Sequence, residues 1–403
     1  MTALLGGPLA ERARIAVDAA SALLVSVSAD AITDPSYAVG AAGLAIAHAN
    51  LHALFPARGH DRCTELLLER ARTLAATARA SPWLVQGIAG VGWATGYLTG
   101  DSGSSLDAFD AKLDRLVTGP GPLPAEVFHG TAGLLLYARG RPGALAEHVL
   151  DQIARTAQGD ADRASWLSTP QLPSHPQEPF VDLGFAHGVP GILAVLATCT
   201  GEAFAGDVTR DLVRRSARYV VEARLPDAQT SAYAAYAGRA EPTRSAYCYG
   251  DPGVAWALTL AADALDDGGV RAVARGVAQL AAGRGDAQAA IDEAGLCHGA
   301  AGLAYLLHKI AERHDDEELR AAAREAFARA LAMPGRDGLP FLLTARAGAT
   351  GRGAILGILG GVAGVALALA TTLGEIDDAW DELLLAGRAA RDDHPWSLPP
   401  RRS

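Results

Sequence analysis

The stretch FAHGVPGILAVLA, from Phe185 to Ala197, places two glycines three residues apart directly before an almost wholly apolar run. The same Gly-x-x-Gly pattern, followed each time by an apolar run, occurs seven times along the chain. Self-similarity of this kind is the sequence signature of a repeat architecture. The first glycines of the seven copies are Gly40, Gly87, Gly130, Gly188, Gly250, Gly299 and Gly361.

Between the copies lie segments rich in Ala and Arg that have the periodicity of amphipathic helices. In DEELRAAAREAFARALA, from Asp316 to Ala332, apolar residues recur every four positions, for example at Leu319, Ala323 and Phe327. An apolar stripe with this spacing predicts a helix that faces a core on one side only. The runs after the glycine pairs are apolar on all sides, so they predict helices that are covered on every side.

An inner ring of seven apolar helices inside seven amphipathic helices would bury both kinds of surface around one core. An open solenoid of the same repeats would need more polar end units, whereas the first and last copies are as apolar as the middle ones. We therefore predict an all-α fold, a closed α/α toroid of seven inner and seven outer helices, as a single domain over residues 1–403. The glycines are expected at the turns into the inner helices, where positive φ or close backbone approach is needed.

Two insertions, residues 159–183 and 225–247, are rich in Pro, Ser, Asp and Thr. They are expected as loops at the end of the toroid that carries the turns, and loops on a rigid scaffold are where function usually concentrates.

Residues 353–374 contain no charged side chain and could mimic a membrane span. The recurrence of related apolar helices along the chain favours a buried helix there instead.

Charge and cysteine usage exclude some classes of protein. The net charge of −10, with no long basic run, argues against nucleic-acid binding. Four cysteines in 403 residues are too few for a disulfide scaffold, and Gly6, Gly7 and Pro8 interrupt the only apolar stretch at the N-terminus. We therefore expect a cytoplasmic protein, in which thiols stay reduced and serve as metal ligands or reactive groups.

Two of the four cysteines stand at the same place, two residues before the first glycine of a copy: Cys248 and Cys297. His298 lies one residue before a first glycine, as do His129 and His187. Because equivalent turns of a ring meet at one end, we expect Cys248, Cys297 and His298 to converge there. Two thiolates and one imidazole suit zinc, and three protein ligands leave a fourth tetrahedral position open, as in catalytic sites.

The remaining cysteines, Cys63 and Cys199, lie away from the turns and are expected to be ordinary core thiols. His187 follows an irregular insertion, and a near-neutral imidazole beside a zinc site is a natural proton carrier. For His129 two interpretations stay open, a role in the site or a hydrogen bond at the helix entry.

The glycine pairs, together with YCYGDPG (residues 247–253), CHG (297–299) and AHGVPG (186–191), resemble the lanthionine synthetase cyclases, the LanC-like proteins. The resemblance covers essentially the whole chain. It implies an α/α toroid with a single zinc at its open end. The reaction it implies is addition of a peptide cysteine thiol to dehydroalanine or dehydrobutyrine, which closes (methyl)lanthionine thioether rings in a ribosomal peptide.

The resemblance also implies roles for individual residues, beginning with the three zinc ligands already named. His187 matches the acid/base histidine of the family, and Arg244 and Tyr249 match two further active-site residues. Glu126 stands where many cyclases of the family carry Asp. The carboxylate is retained there, but it reaches one methylene further.

We therefore expect a free-standing lanthipeptide cyclase that holds one Zn²⁺ per chain and acts on a dehydrated precursor peptide. The implied partners are a separate dehydratase and a transporter, and any membrane association would come through such a complex. The main alternative is a LanC-like module without catalysis that binds a peptide or glutathione. Other α/α toroids act on sugars or prenyl diphosphates, but the nearest acidic run, residues 314–319, is typical of the solvated start of an outer helix.

Overall fold

The computed structural model describes residues 3–77, 80–100, 103–141, 143–169, 175–226, 230–333 and 356–385. Within these ranges, seven helices begin directly after the first glycine of a copy, and almost all of their residues are buried. These inner helices are α2 (Ala41–Leu54), α4 (Ile88–Thr99), α6 (Thr131–Ala138), α8 (Val189–Cys199), α10 (Asp251–Leu265), α13 (Ala300–His314) and α15 (Val362–Thr372).

Seven further helices in the described ranges precede or follow the inner ones and bury only one face. They are α1 (Gly7–Val25), α3 (His60–Ala75), α5 (Asp107–Val117), α7 (Leu145–Thr156), α9 (Gly206–Glu222), α11 (Gly268–Ala282) and α14 (Glu317–Ala330). Two short helices complete the set, α12 (Asp286–Ala289) and α16 (Glu382–Leu385). Asp316 caps α14 by accepting hydrogen bonds from two backbone amides, which confirms that the acidic run begins an outer helix.

The inner helices form a closed ring. Each packs against the next inner helix along the chain, and α15 packs against α2, while the outer helix α1 covers α15. The predicted toroid of seven inner and seven outer helices is confirmed. The apolar run at 353–374 contributes the buried helix α15 from residue 362 onward, and residues 353–355 lie outside the described ranges. None of the described helices has both the length and the apolar character that crossing a bilayer requires.

The paired glycines are explained by close backbone approach far more than by positive φ. In all seven copies a Cβ on the second glycine would lie 1.8–2.3 Å from the carbonyl oxygen six residues earlier, a distance no side chain tolerates. Among the first glycines only Gly250 has a positive φ, 135°, which L-residues rarely adopt. The glycines therefore let each entering turn fold tightly over the first turn of its inner helix.

The insertions contain more regular structure than the sequence indicates. Two short antiparallel pairs lie in or next to the first insertion: β1 (Gln158–Gly159) with β2 (Ala164–Ser165), and β3 (Leu167–Ser168) with β4 (Phe180–Val181). These two-residue strands are too short to show an alternating sequence pattern. The second insertion pairs with the first by backbone hydrogen bonds of 2.9 Å, from Leu183 N to Ala235 O and from Ala237 N to Val181 O. Residues 170–174 and 227–229 of the insertions lie outside the described ranges.

The centre of the ring is filled by the segment after α15. Residues 376–385 turn back between the inner helices, and Trp380 is fully buried. Tyr37 donates a hydrogen bond to the carbonyl of Trp380 (2.7 Å), Tyr247 donates to that of Leu384 (2.6 Å), and the indole of Trp256 donates to that of Leu385 (2.8 Å). The first and fifth units therefore hold this segment in place.

Buried charges accompany the same segment. Lys309 on α13 lies 2.9 Å from both Asp378 and Asp381, and Arg139 at the end of α6 pairs with Glu382. Burial raises the pKa of Asp381 to about 6, although the Lys309 charge opposes the shift. Nothing in the periodicity of the sequence indicated that this short segment would occupy the ring centre.

Candidate active site

The seven entering turns are joined to one another at equivalent positions, two residues before the first glycine. Around the rim, the amide of one turn donates to the carbonyl of a neighbour: Phe128 to Ala186 (3.3 Å), Ala186 to Cys248 (3.2 Å) and Cys248 to Cys297 (3.3 Å). The series continues from Cys297 to Leu359, from Leu359 to Ala38 and from Ala38 to Val85. We call this series the rim belt. It places Cys248 and Cys297 side by side because they occupy adjacent places in it.

Cys248, Cys297 and His298 form the first group of potential ligands at this rim. One ligand atom from each, the two sulfurs and an imidazole nitrogen, lies within 4.8 Å of the others. His298 Nε2 lies 3.2 Å from Oε1 of the buried Glu293. A carboxylate that orients the far nitrogen of a histidine is typical of zinc-binding imidazoles. The donor set fits zinc, with a thiol pair and one oriented imidazole.

The electrostatics of the group favour an anionic sulfur. Hydrogen bonds from Cys297 and His298 lower the pKa of the Cys248 thiol well below its usual range, against the effect of burial. The same interaction with Cys248, together with burial, raises the pKa of Cys297. The hydrogen bond to Cys248 and the charge of Glu293 raise the pKa of His298. These shifts favour a thiolate at Cys248 beside a protonated His298.

Glu126, His129 and His187 form the second group, from the third and fourth turns. Glu126 is buried and contacts both histidines: Oε2 accepts a hydrogen bond from Nδ1 of His187, and Oε1 lies 3.3 Å from Nδ1 of His129. His129 Nε2 lies 3.1 Å from Oε1 of Gln86. The two imidazole rings are stacked, with centroids 5.8 Å apart and planes at 12°. The longer Glu126 side chain thus reaches His187 directly.

Glu126 also sets the charge state of His187. Burial alone would lower the pKa of His187, but the hydrogen bond and charge of Glu126 outweigh it and raise that pKa. Burial would conversely raise the pKa of Glu126, and the two histidines lower it. Since Nδ1 of His187 faces Glu126, Nε2 is the nitrogen left for another partner.

Tyr249 and Asp182 connect the two groups. The Tyr249 hydroxyl donates to Oδ2 of Asp182 (2.5 Å), and its ring centroid lies 6.0 Å from that of His187. Burial and the Asp182 charge raise the pKa of Tyr249, and burial raises the pKa of Asp182 to about 6. The tyrosine hydroxyl is therefore kept protonated, with its position fixed by the carboxylate.

Arg244 is half-buried beside the first group. It is close enough for its charge to act on both ligands, in the direction that lowers the pKa of Cys297 and of His298. Among the described residues its side chain has no hydrogen bond or ion pair, so its guanidinium is available to a bound molecule. Every site residue that the sequence predicted thus lies at one rim.

Comparison with known proteins identifies the family and supports the fold. The sequence model of a family described as lanthionine synthetase C-like protein matches residues 31–385. The chain belongs to this family. Among solved structures, a nisin cyclase is similar with a TM-score of 0.74 and 17% sequence identity, over 92% of this chain and 97% of that one. None of the curated proteins matches the sequence of this chain.

Sequence reasoning missed three residues of this LanC-like site: Glu293, Asp182 and Gln86. The signal for the first two was present, because Asp182 and Glu293 lie six residues before a first glycine, at the same register as Arg244. Gln86 lies one residue before a first glycine, at the same register as His129. Register could have given the rim position of these side chains, but not which neighbour each would contact.

The two cysteines expected to be core thiols lie away from the rim of the LanC-like toroid, Cys63 on the outer helix α3 and Cys199 at the end of α8. Cys199 is buried, and burial raises the pKa of its thiol to about 11, as expected for an inert core group. Cys63 is only half-buried, so it is a core-edge thiol and not a core one.

Proposed function

We propose that the chain is a zinc-dependent lanthipeptide cyclase, which adds peptide cysteine thiols to dehydroalanine or dehydrobutyrine. The observation that carries the proposal is the convergence at one rim of a two-thiol, one-imidazole group and a carboxylate-bound histidine. Membership of the lanthionine synthetase C-like family supports it. We propose further that residues 1–403 form a single cyclase domain.

The metal ligands in this proposal are Cys248, Cys297 and His298, which would hold one Zn²⁺ per chain. Zinc bound there would supply an open position at which a substrate thiol loses its proton near neutral pH. The chain contributes the orientation of His298 through Glu293 and the thiolate character of Cys248. Both are the properties that a zinc site requires of its ligands.

Ring closure forms one bond between the substrate sulfur and the β-carbon of the alkene. The α-carbon then carries the negative charge of an enolate and must gain a proton, so the thiol proton is replaced and the mass of the peptide does not change. His187 is placed to give that proton from Nε2, because Nδ1 is bound to Glu126. The raised pKa of His187 favours the protonated form that this step needs.

Arg244 and Tyr249 suit the charge that develops during the addition. A guanidinium near the first group stabilises an enolate oxygen by charge and by directed N–H groups. Tyr249, held by Asp182, keeps its ring against His187 and restricts the space into which the substrate enters. We assign the catalytic roles to His187 and Arg244, with Glu126 and Tyr249 as residues that position His187.

The proposed substrate is a dehydrated ribosomal precursor peptide, and a separate dehydratase would have to supply it. We propose a cytoplasmic location, with a dehydratase and a transporter as partners and membrane association only through them. The net charge of −10 gives no support to a nucleic-acid partner.

The test is ring closure on a dehydrated precursor peptide. Because cyclisation leaves the mass unchanged, the remaining thiols are alkylated after incubation and counted by mass spectrometry. We expect the wild-type chain to consume thiols, and Cys297→Ala to lose both zinc and activity. Cys63→Ala is the matched control, because Cys63 is a half-buried thiol on the outer helix α3. If the wild-type chain binds a cognate dehydrated peptide without consuming thiols, it is a binding module and the proposal is wrong.

A further inference from the structure

The group of Glu126, His129 and His187 has the composition and spacing of a second metal site. Its three ligand atoms all lie within 4.8 Å of one another. One carboxylate and two imidazoles are a common zinc donor set. In a tetrahedral site with bonds of about 2.0–2.1 Å, ligand atoms lie about 3.3 Å apart. His129 Nδ1 and Glu126 Oε1 already have that separation, 3.3 Å.

Gln86 prepares His129 for this role. Its Oε1 lies 3.1 Å from His129 Nε2, and an amide oxygen can only accept a hydrogen bond, so Nε2 carries a hydrogen. Nδ1 of His129 then faces the Glu126 carboxylate. It carries either a second proton or a free lone pair that can bind a cation. Histidines that bind metals are oriented in the same way, by a hydrogen bond from the ring nitrogen that does not bind.

The solvent accessibility and the geometry of this group also favour the binding of a metal ion. The side chains of His129 and His187 are 30% and 33% exposed, so an ion can reach them from solvent, while Glu126 is buried beneath them. The rings are nearly parallel, and both Nδ1 atoms approach the same carboxylate. No thiolate belongs to this group, so it should bind zinc more weakly than the two-cysteine group.

We propose that Glu126, His129 and His187 bind a second zinc ion, and that this ion inhibits ring closure. The binding is independent of any reaction, whereas the inhibition rests on the proposed function, in which His187 donates a proton. A metal on Nδ1 leaves the hydrogen on Nε2 as the only ring proton of His187. Giving up that proton would create an imidazolate, so His187 could no longer serve as the acid.

Metal binding is tested with untagged chain and zinc alone, by equilibrium dialysis and elemental analysis. The wild-type chain should bind two zinc ions, one tightly and one more weakly, and Cys297→Ala should lose only the tight one. His129→Gln should lose the weak ion, and Gln86→Ala should weaken it by about 10–100-fold, as expected for an orienting residue. His148→Gln, at a partly exposed histidine that pairs with Asp114 on the outer surface, is the matched control and should keep both.

Cobalt distinguishes the two groups by spectrum. Added to chain that already holds one zinc, Co²⁺ should give visible d–d absorption without the near-ultraviolet thiolate charge-transfer band, because the second group contains no sulfur. The proposal is overturned if the wild-type chain binds a single zinc, if His129→Gln keeps the weak ion unchanged, or if the added cobalt shows the thiolate band.

The inhibition is measured as the ring-closure rate in excess zinc divided by the rate at one zinc per chain. In the wild-type chain the rate in excess zinc should be lower by up to about 10²–10⁴-fold, because that is the usual contribution of general acid assistance. In His129→Gln the ratio should stay near one. Equal ratios in both would overturn the inhibitory role. If no variant closes rings at all, the proposed function fails, while zinc counting and the cobalt spectrum still decide whether the second site exists.

Discussion

Replacement of Glu293 by Gln should weaken zinc binding by about 10–100-fold, the effect typical of residues that orient a metal-bound histidine. This factor corresponds to about 1.4–2.8 kcal/mol of binding free energy, at 1.4 kcal/mol per tenfold. The estimate follows from the structure, because Glu293 is buried and its Oε1 lies 3.2 Å from His298 Nε2. The hydrogen bond to Cys248 is the main cause that raises the pKa of His298, and the negative charge of Glu293 adds to it. The same charge strengthens the imidazole as a ligand.

The assay is competition for zinc with a chromophoric chelator at neutral pH, on untagged protein whose helical content is checked by circular dichroism. Glu375→Gln is the control, because it removes one negative charge at a carboxylate that pairs with Arg14 on the outer helix α1. Glu293→Ala removes the oxygen as well as the charge, so it should weaken binding at least as much as Glu293→Gln.

Two results would contradict the role assigned to Glu293. Wild-type zinc affinity in Glu293→Gln would mean that the carboxylate does not orient His298. An equal loss in Glu293→Gln and Glu375→Gln would mean that the effect comes from net charge and not from the contact at the rim.

Three further predictions concern the proton donor and the ring centre. His187→Asn should keep its zinc yet close rings about 10²–10⁴-fold more slowly, measured by thiol alkylation. Glu126→Gln should move the alkaline limb of the pH–rate profile to lower pH, because Glu126 raises the pKa of His187 and its loss lets the proton donor deprotonate at a lower pH. Glu126→Asp should keep the limb near its original place if the shorter carboxylate still reaches His187. Lys309→Met should lower the free energy of unfolding in urea by about 3–5 kcal/mol, because it leaves the buried Asp381 without the cation that lies 2.9 Å away, and adding Asp381→Asn should recover part of the loss.

The repeat made the ring predictable from sequence. Each glycine pair is followed by an apolar helix, and each interval between copies contains an amphipathic helix. Few arrangements bury the apolar surfaces of both kinds of helix, and a closed toroid is one that does. Register predicted the cysteine pair for the same reason, since equivalent positions of adjacent turns become neighbours. Cys248 and Cys297 are adjacent members of the rim belt, in which the backbone amide of Cys248 donates a hydrogen bond to the carbonyl of Cys297.

Features that depend on a single non-repeating segment could not be predicted in this way. Residues 376–385 have no counterpart in the other units, and their place in the ring centre depends on the hydroxyls of Tyr37 and Tyr247 and on buried ion pairs. The pairing of the two insertions likewise depends on backbone hydrogen bonds, which leave no pattern in side chains. Glu126 was identified by resemblance, but its contact with His187 required the geometry.

The rim belt also explains why the residues of the candidate site lie on one arc of the ring. The residue after each belt position is the one directly before the first glycine, and in the second to sixth turns it is polar. Neighbours along this arc contact each other: Gln86 with His129, His129 with His187 through Glu126, and His187 with Tyr249. The sixth member, His298, lies beside the cysteine pair, whereas the first and seventh turns carry Val39 and Gly360. The turns share their glycine pair and their place in the rim belt, so they differ mainly in their side chains. The side chains that make up the candidate site stand at the two positions before the first glycine and at the positions four and six residues before it. A substitution at one of these positions can therefore change the side chains of the rim while both glycines of the turn remain.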